Sequence, residues 1–195
     1  MIFELATRGQ KVRYVEPADS VEGKYSEANT LIIVNPSRPF NDSELSAIHS
    51  MVDRGGTLIL ISEPTRVRMN PINSVASDFG LMFGNGYLYD MNQSDGNYRD
   101  IVVTRFSESP VTKGIGRMVL FTAAPIYSNG HELAITANST SSSESEIKTN
   151  YSPIIFIQDK RVLALGDFTF LKEPFCYSED NYHFITNLAD YVAAR

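Results

Sequence analysis

Apolar and polar positions in the first half of the chain alternate between the spacing of strands and the spacing of helices. Leu31–Val34 is a continuous apolar run and Thr57–Ile61 is nearly so, which is typical of strands covered on both faces. Between them, Asn41 and Glu44 form a helix-capping pattern, and apolar residues then recur at helical spacing up to a Gly-Gly pair. This order of strand, helix and strand predicts a parallel sheet joined by right-handed crossovers.

Weaker patterns on either side of this unit predict further elements. Glu4–Arg8 is interpreted as the end of a helix that Gly9 stops, and Lys11–Val15 has the period-two character of a strand. Pro71–Phe79 is expected to form a second helix, because proline suits the first helical turn and Gly80 follows as a stop. Strands and helices are therefore expected to alternate up to this glycine.

The second half of the chain is richer in strands and loops. Residues 84–100 are polar and rich in Gly, Asn and Tyr, so we expect an insertion or a long loop there. Residues 138–152 are rich in Ser, Thr, Glu and Asn, and this composition predicts a mobile loop. Three short strands are predicted between these two segments: Ile101–Thr104, Met118–Phe121 and Leu133–Thr136.

The last part of the chain has the clearest pattern. Ile154–Ile157 and Val162–Leu165 are apolar runs separated by a tight turn, and the amphipathic stretch Asp180–Val192 predicts a closing helix. Asp167 follows the second run, where open α/β sheets bind ligands outside the carboxyl ends of their strands. We therefore predict a single α/β domain over residues 1–195, with a β-rich second half.

Composition and charge exclude several classes of function. The 195 residues are 43% hydrophobic and 21% charged, which suffices for one substantial core. A net charge of -6 argues against nucleic-acid binding, because that affinity depends on clustered Lys and Arg. No apolar run approaches the length of a membrane span, so we expect a soluble chain.

The residues that usually bind metals are sparse. The single cysteine, Cys176, excludes an internal disulfide and a cysteine-based metal site. The three histidines lie far apart in the sequence, with no pair at ligand spacing: His49, His131 and His183. We therefore predict no metal and no cofactor.

Four polar side chains are predicted at the carboxyl ends of the parallel strands. Asn35 follows the first apolar strand, Ser62 and Glu63 follow the second, and Asp167 follows the last. Because these strand ends meet along one rim, the four are candidate ligand-binding residues. The alternative, favoured for Asp167, is that its carboxylate caps the following turn. Asn181 is similarly interpreted as a helix-start residue rather than a ligand contact.

Tyrosines within residues 84–100 form a second candidate site. Tyr87 and Tyr89 stand among Asn, Ser and Gly, a composition that adaptable binding surfaces use. In such surfaces the rings supply contact area and the short polar groups supply hydrogen bonds. The alternative is that the rings pack the segment onto the sheet, and the sequence leaves both interpretations open.

No catalytic residue is predicted. A nucleophile elbow needs a Ser or Cys on a sharp strand-to-helix turn, with small residues two positions away on either side. Ser62 follows a predicted strand, but Leu60 and Pro64 occupy those positions, and no His-plus-acid pair is evident. The expectation is therefore a protein that is not an enzyme.

Several stretches of the chain resemble a family of prokaryotic domains of unknown function. They are Leu31–Pro36, Phe40–Leu45, Val52–Ile61, Leu165–Leu171 and Asp180–Phe184. Relatives of that family include the gliding-motility auxiliary component of ABC transporters and the GIFT domain of an intraflagellar-transport subunit. The resemblance implies a fold similar to class I glutamine amidotransferases, which is a flavodoxin-like three-layer sandwich with a mainly parallel sheet. The family usually has a strand before the helix at which this chain starts, so the order of the central strands stays open.

The resemblance also implies roles in assembly or transport rather than amide chemistry. The leading hypothesis is a non-catalytic interaction or scaffold domain, accessory to a membrane transport assembly of the ABC type, with transporter subunits as protein partners. One alternative is a small-ligand or glycan-binding module at the strand ends and tyrosines, and another is a degenerate amidotransferase-like hydrolase. Four glycosylation sequons are consistent with the extracytoplasmic or soluble part of a membrane-associated parent: Asn41, Asn92, Asn138 and Asn150.

Overall fold

The computed structural model describes residues 1–15, 25, 27–64 and 70–194. Its main helices are α1 (Ile2–Thr7), α2 (Asp42–Asp53), α3 (Asn73–Ala76) and α4 (Asn181–Ala193). Its strands are β1 (Thr30–Val34), β2 (Thr57–Ile61), β3 (Met82–Phe83), β4 (Leu88–Tyr89), β5 (Ser94–Asp95), β6 (Asn97–Val103), β7 (Arg105–Phe106), β8 (Met118–Phe121), β9 (Ile126–Tyr127), β10 (Glu132–Ile135), β11 (Ser141–Ser142), β12 (Ile154–Ile157) and β13 (Val162–Leu165).

Six strands form the main sheet, in the order β1-β2-β13-β12-β10-β7. β1, β2 and β13 run parallel, with Ile59 of β2 opposite both Ile32 of β1 and Leu163 of β13. β12, β10 and β7 complete the sheet through antiparallel pairs. The α/β class with a β-rich body is confirmed, but the prediction of a mainly parallel sheet is wrong. The tight turn between β12 and β13 explains the difference, because such a short connection can join only antiparallel strands.

Helices cover both faces of the main sheet, because successive side chains of a strand point to opposite faces. Ile59 and Leu163 lie in a core with α1 and α4, which we call the α4-side core. Leu58 and Leu60 lie in a core with α2 and α3, which we call the α2-side core. All side chains of β2 and β13 are buried, as the sequence predicted for β2.

The first strand and helix form largely as predicted. Oδ1 of Asn41 accepts a hydrogen bond from the Glu44 N–H at 3.0 Å, and the Glu44 carboxylate accepts one from the Asn41 N–H at 2.9 Å. This reciprocal capping box fixes the start of α2. β1 lies at the edge of the sheet, however, and Val34 is 38% exposed, so this strand is not covered on both faces.

Two predicted elements differ in the structure. Lys11–Val15 is exposed and forms no strand, because its backbone meets no pairing strand within the described ranges. Pro71–Phe79 yields only the short α3 and a 3₁₀ turn, Ser77–Phe79, which ends at Gly80 in the left-handed conformation. The apolar residues of this segment still face the α2-side core as predicted: Ile72, Val75, Ala76 and Phe79.

Residues 84–100 contain β4, β5 and the start of β6, rather than one long loop. β5, β6 and β8 form an antiparallel sheet in which Ile101 pairs with Leu120. Both of these side chains are buried in the α4-side core. The segment therefore belongs to the β-rich body. Its strands were not predicted because its Asn and Gly content is typical of loops.

The Ser-rich segment at residues 138–152 is attached to this body through β11. β11 pairs with β4, and Thr140, Ser141 and Ser142 are buried. The part of the segment near β11 is thus packed rather than exposed. The mobility expected of the whole segment stays a prediction.

Candidate functional site

The structure brings the four candidate rim residues together. Asn35, Ser62 with Glu63, and Asp167 follow β1, β2 and β13, which are neighbours in the parallel part of the sheet. Asn35 has a φ of 42°, a left-handed conformation that asparagine tolerates. Its Oδ1 accepts a hydrogen bond from the Glu63 N–H at 2.8 Å. The side chain at the end of β1 therefore holds the turn that follows β2.

Ser62 is buried and hydrogen-bonds a neighbouring loop. Its hydroxyl donates to Oδ1 of Asn70 at 3.2 Å. Nδ2 of Asn70 donates in turn to the carbonyl oxygens of Phe83 and Gly84, at 3.1 and 2.6 Å. The partner of the Ser62 hydroxyl is thus an amide rather than an imidazole base, and this geometry does not favour a hydrolase.

Asp167 is buried, and both of its carboxylate oxygens accept backbone hydrogen bonds. The Phe121 N–H donates to Oδ2 and the Thr169 N–H donates to Oδ1, each at 2.6 Å. The bond from Thr169 caps the turn after β13, which favours the structural interpretation of Asp167. Burial raises the pKa of Asp167 to about 7, although the backbone hydrogen bonds oppose this effect.

Thr169 links the two acidic residues of the rim. Its hydroxyl donates to Oε2 of Glu63 at 3.1 Å, while its N–H donates to Asp167. Glu63 and Asp167 are 5% and 1% exposed, so neither carboxylate reaches far into solvent. The polar groups of the rim are therefore largely paired with one another or with the backbone.

Gly166 closes the rim against the loop that follows β8. Its carbonyl oxygen accepts from the Ala124 N–H at 2.7 Å, and its own N–H donates to the Pro153 carbonyl oxygen at 2.8 Å. A Cβ at this position would lie 2.2 Å from the Ala124 carbonyl oxygen. Only glycine allows the two backbones to approach this closely.

Asn181 begins α4, as predicted, and is fully buried. Its Oδ1 accepts from the Val119 N–H at 3.1 Å, and its Nδ2 donates to the Val119 carbonyl oxygen at 2.8 Å. The preceding Asp180 accepts hydrogen bonds from the backbone of Gly116 and Arg117, which lower the pKa of its carboxyl. Both side chains thus attach the start of α4 to β8 and the residues before it.

The tyrosines form a cluster of their own, which adds Tyr98 and Arg99 to the two candidate residues. The rings of Tyr87 and Tyr89 are 6.3 Å apart, and those of Tyr89 and Tyr98 are 6.1 Å apart. The Arg99 guanidinium lies over the rings of Tyr87 and Tyr98, at 4.5 and 5.3 Å from their centroids. We call these four residues the tyrosine–arginine cluster. No sequence motif marks an arginine for this role, since only the fold brings β4 beside β6.

A second residue that sequence analysis missed is Asp90, which is 1% exposed. Its Oδ1 accepts from the N–H groups of Asn92 and Gln93, and its Oδ2 accepts from the hydroxyls of Ser139 and Thr140. Burial acts to raise the pKa of Asp90, but these hydrogen bonds outweigh it and lower the pKa below its ordinary value. Asp90 therefore has a structural role.

Other possible sites lie away from both candidate sets. A shallow cavity of about 390 Å³ lies beside β10 and is lined in part by Ser107, His131 and Glu132. None of the predicted site residues lines it. Across the described ranges, no group of three or more His, Cys, Asp or Glu side chains is placed to hold a metal ion. Within the same ranges, no helix has the length and apolar content needed to cross a membrane.

These features define a mixed α/β domain with a filled strand-end rim and a separate tyrosine–arginine cluster. Residues 3–188 match the family described as "Domain of unknown function (DUF4350)", and the chain belongs to that family. The predicted resemblance to a family of unknown function is thereby confirmed. A search of the curated proteins found no match.

The fold is also similar to a solved structure named "mmIFT52 N-terminal domain". The TM-score is 0.78 at 14% sequence identity, and the alignment covers 96% of this chain and 90% of the other. At this identity the similarity concerns the fold alone. It agrees with the GIFT-domain resemblance noted in the sequence.

Proposed function

We propose that this protein is a non-catalytic interaction or scaffold domain, accessory to a membrane transport assembly of the ABC type. The observation that carries the proposal is the filled rim. Where open α/β sheets usually bind ligands, the side chains of Asn35, Ser62 and Asp167 instead hold the fold together. The resemblance to transport and assembly domains supports the same role.

An amidotransferase-like ancestry belongs to this proposal. Three parallel strands with helices on both faces support a relation to flavodoxin-like, class I glutamine amidotransferase folds. In such a relation the antiparallel strands β12, β10 and β7 extend the parallel part. Ser62, at the end of β2, then occupies a strand end without a base beside its hydroxyl.

A partner surface is supported at α1 and the start of α4. Phe3 is 72% exposed and Tyr177 is 61% exposed, although both have large aromatic side chains. The Tyr177 ring lies 5.6 Å from that of Tyr182, whose hydroxyl donates to Glu4 of α1. Exposed aromatic side chains of this kind are typical of the energetic centres of protein interfaces. We assign this surface to transporter subunits, in the extracytoplasmic or soluble part of the assembly.

Co-purification with the permease and ATPase subunits of ABC-type transporters from the same organism tests the proposal. We expect the wild type to retain at least one subunit and the double variant Phe3→Ser/Tyr177→Ser to lose it. Met91→Ser is the matched control, because Met91 is also 72% exposed but lies in the turn between β4 and β5. Failure of the wild type to retain any subunit, or equal retention by the double variant, would contradict this assignment.

A ligand-binding module is the second candidate function, and the tyrosine–arginine cluster is the observation that favours it. Tyr98 is 40% exposed, so one ring of the cluster is open to solvent. We propose this site at β4 and β6 rather than at the strand ends, because the polar groups of the rim are largely paired. A thermal-shift screen with sugars and nucleotides tests it, because a ligand that binds the folded state raises the melting temperature.

A further inference from the structure

Arg99 is held in place by aromatic rings. Its guanidinium lies over the rings of Tyr87 and Tyr98, and its Nε donates to the Tyr98 hydroxyl at 3.0 Å. A guanidinium carries five N–H donors in a rigid planar fork. The Nε–H bond to Tyr98 uses one donor, and the terminal nitrogens carry the rest.

The setting of Arg99 differs from that of three arginines that pair with carboxylates. Arg8 pairs with Glu4 and Asp190, Arg38 pairs with Glu44, and Arg117 pairs with Glu179. Among the residues that the structure describes, Arg99 has no such carboxylate partner, and its guanidinium contacts the side chains of Tyr87 and Tyr98. Arg161 also lies over a tyrosine ring, that of Tyr191, but its Nε donates to Thr57 and so joins the starts of two strands.

We propose that the tyrosine–arginine cluster binds a carboxylate-bearing saccharide. The inference rests on the second candidate function and specifies its ligand. A guanidinium fork matches a carboxylate through two parallel N–H···O bonds. The exposed ring of Tyr98, with Tyr89 and Tyr87 beside it, offers flat apolar area to the C–H face of a sugar ring.

The surroundings of Arg99 favour a singly charged anion over a phosphate. The hairpin that carries Arg99 also carries two acidic side chains, those of Asp95 in β5 and Asp100 in β6. These acidic groups repel a dianion more than they repel a monoanion. Asn92, Ser94 and Asn97 in the same hairpin supply hydroxyl and amide groups of the kind that bind sugar hydroxyls.

Isothermal titration calorimetry with a galacturonic acid trimer tests the proposal. The neutral galactose trimer and inorganic phosphate serve as comparison ligands. Arg99→Lys is the informative variant, because it keeps the positive charge but removes the planar fork. Arg117→Lys is the matched control, since Arg117 is half-exposed and pairs with Glu179 away from the cluster. Circular dichroism and melting temperature establish that each variant is folded.

We expect the acidic trimer to bind, with affinity reduced at least about tenfold by Arg99→Lys and unchanged by Arg117→Lys. Equal binding of the neutral trimer, tighter binding of phosphate, or an affinity that Arg99→Lys leaves unchanged would overturn the inference but leave a ligand-binding module. Absence of saccharide binding would overturn the inference, and absence of any stabilising ligand in the thermal-shift screen would also overturn the ligand-binding module. Neither result bears on the transporter proposal, which concerns the surface at α1 and α4.

Discussion

Asp167 shows how a single residue at the rim serves the fold. Its carboxylate joins the end of β13 to β8 through Phe121 and to its own turn through Thr169. Because the side chain is buried, its ionised form carries a charge that water cannot hydrate. Only backbone N–H groups compensate for that loss. Burial is the larger effect, and the pKa is raised to about 7.

Asp167→Asn tests this protonation. The ordinary pKa is 3.8 and the folded value is about 7, so the folded state binds the proton more tightly than the unfolded state. The stability contributed by this group is fully present below about pH 4 and is lost as the pH rises towards 7. We expect the unfolding free energy of the wild type, relative to Asp167→Asn, to decrease over that interval in urea titrations.

The slope with pH is the quantity to compare, because the asparagine amide also leaves one backbone N–H without an acceptor. That loss lowers the stability of Asp167→Asn at every pH. Carboxyls whose pKa is lowered, such as those of Asp90 and Asp180, titrate below about pH 4 and affect both proteins alike. A difference between the proteins that stays constant from pH 4 to pH 7 would show that Asp167 is ionised throughout.

Residue-level prediction from the sequence identified the positions of the rim residues and favoured the turn-capping role that the structure supports for Asp167. Ligand binding by the rim stays a prediction. Parallel strands bring their carboxyl ends together, so the proximity of Asn35, Glu63 and Asp167 could be predicted. The filling of the rim could not, because Phe121, which donates to Asp167, lies 46 positions away in the sequence. Arg99 was missed for a similar reason, since β4 and β6 meet only in the folded chain.

At the scale of elements, Asp90 joins two segments that the sequence presents as separate loops. It follows β4, and its Oδ2 accepts from Ser139 and Thr140 just before β11. The backbone pairing of β4 with β11 and this carboxylate therefore support the same contact. A buried acceptor with four donors is costly to remove, because each donor loses its partner.

Asp90→Ala is expected to lower the unfolding free energy by at least about 2 kcal/mol, since it leaves buried hydroxyl and N–H donors unpaired. Amides of residues 139–143 are expected to exchange with solvent faster in this variant. Urea denaturation and hydrogen–deuterium exchange measure the two effects. Asp95→Ala is the control, because Asp95 lies on the exposed part of the neighbouring hairpin. Fast exchange of these amides in the wild type would instead support the predicted mobile loop.

Elements with strong local signals were predictable, and elements that depend on distant partners were not. The capping box of Asn41 and Glu44 satisfies its hydrogen bonds within one turn, so the start of α2 could be inferred directly. Lys11–Val15 has the composition of a strand, but a strand also needs a pairing partner, which the sequence cannot supply. β4 and β5 were missed because two-residue strands carry no periodic pattern.

At the scale of the whole molecule, the main sheet lies between the two cores and contributes side chains to both. β2 and β13 contribute side chains to the α4-side core and to the α2-side core in alternation. A change on either face of these strands therefore affects a sheet that both cores need. This arrangement predicts cooperative unfolding of the two cores.

Ile59→Ala and Leu60→Ala test this cooperativity from opposite faces of β2. Each side chain is fully buried, and we expect each variant to lose about 2–5 kcal/mol of unfolding free energy. Far-ultraviolet circular dichroism and the near-ultraviolet signal of the tyrosines are expected to give coincident urea transitions in both variants. Separate transitions, or a changed denaturant dependence in only one variant, would show that the cores unfold independently.

The class of the fold was predictable because alternating apolar strands and amphipathic helices dictate layers. The composition of the main sheet was not, since the first half suggested a parallel sheet and the second half supplied antiparallel strands. The hairpin of β12 and β13 was visible in the sequence, but not that β13 would also pair in parallel with β2. Strand order depends on contacts between distant residues, which one sequence does not report.

The position of β13 has a consequence for synthesis on the ribosome. Arg161, just before β13, donates a hydrogen bond to Thr57, at the start of β2, across 104 positions of the chain. β2 is therefore synthesised well before β13. Until β13 emerges, one backbone edge of β2 has no pairing strand and its apolar side chains lack part of their packing. Such an edge is a template for misassembly until its partner arrives. Thr57–Ile61 is thus the stretch where we expect a chaperone to engage the growing chain.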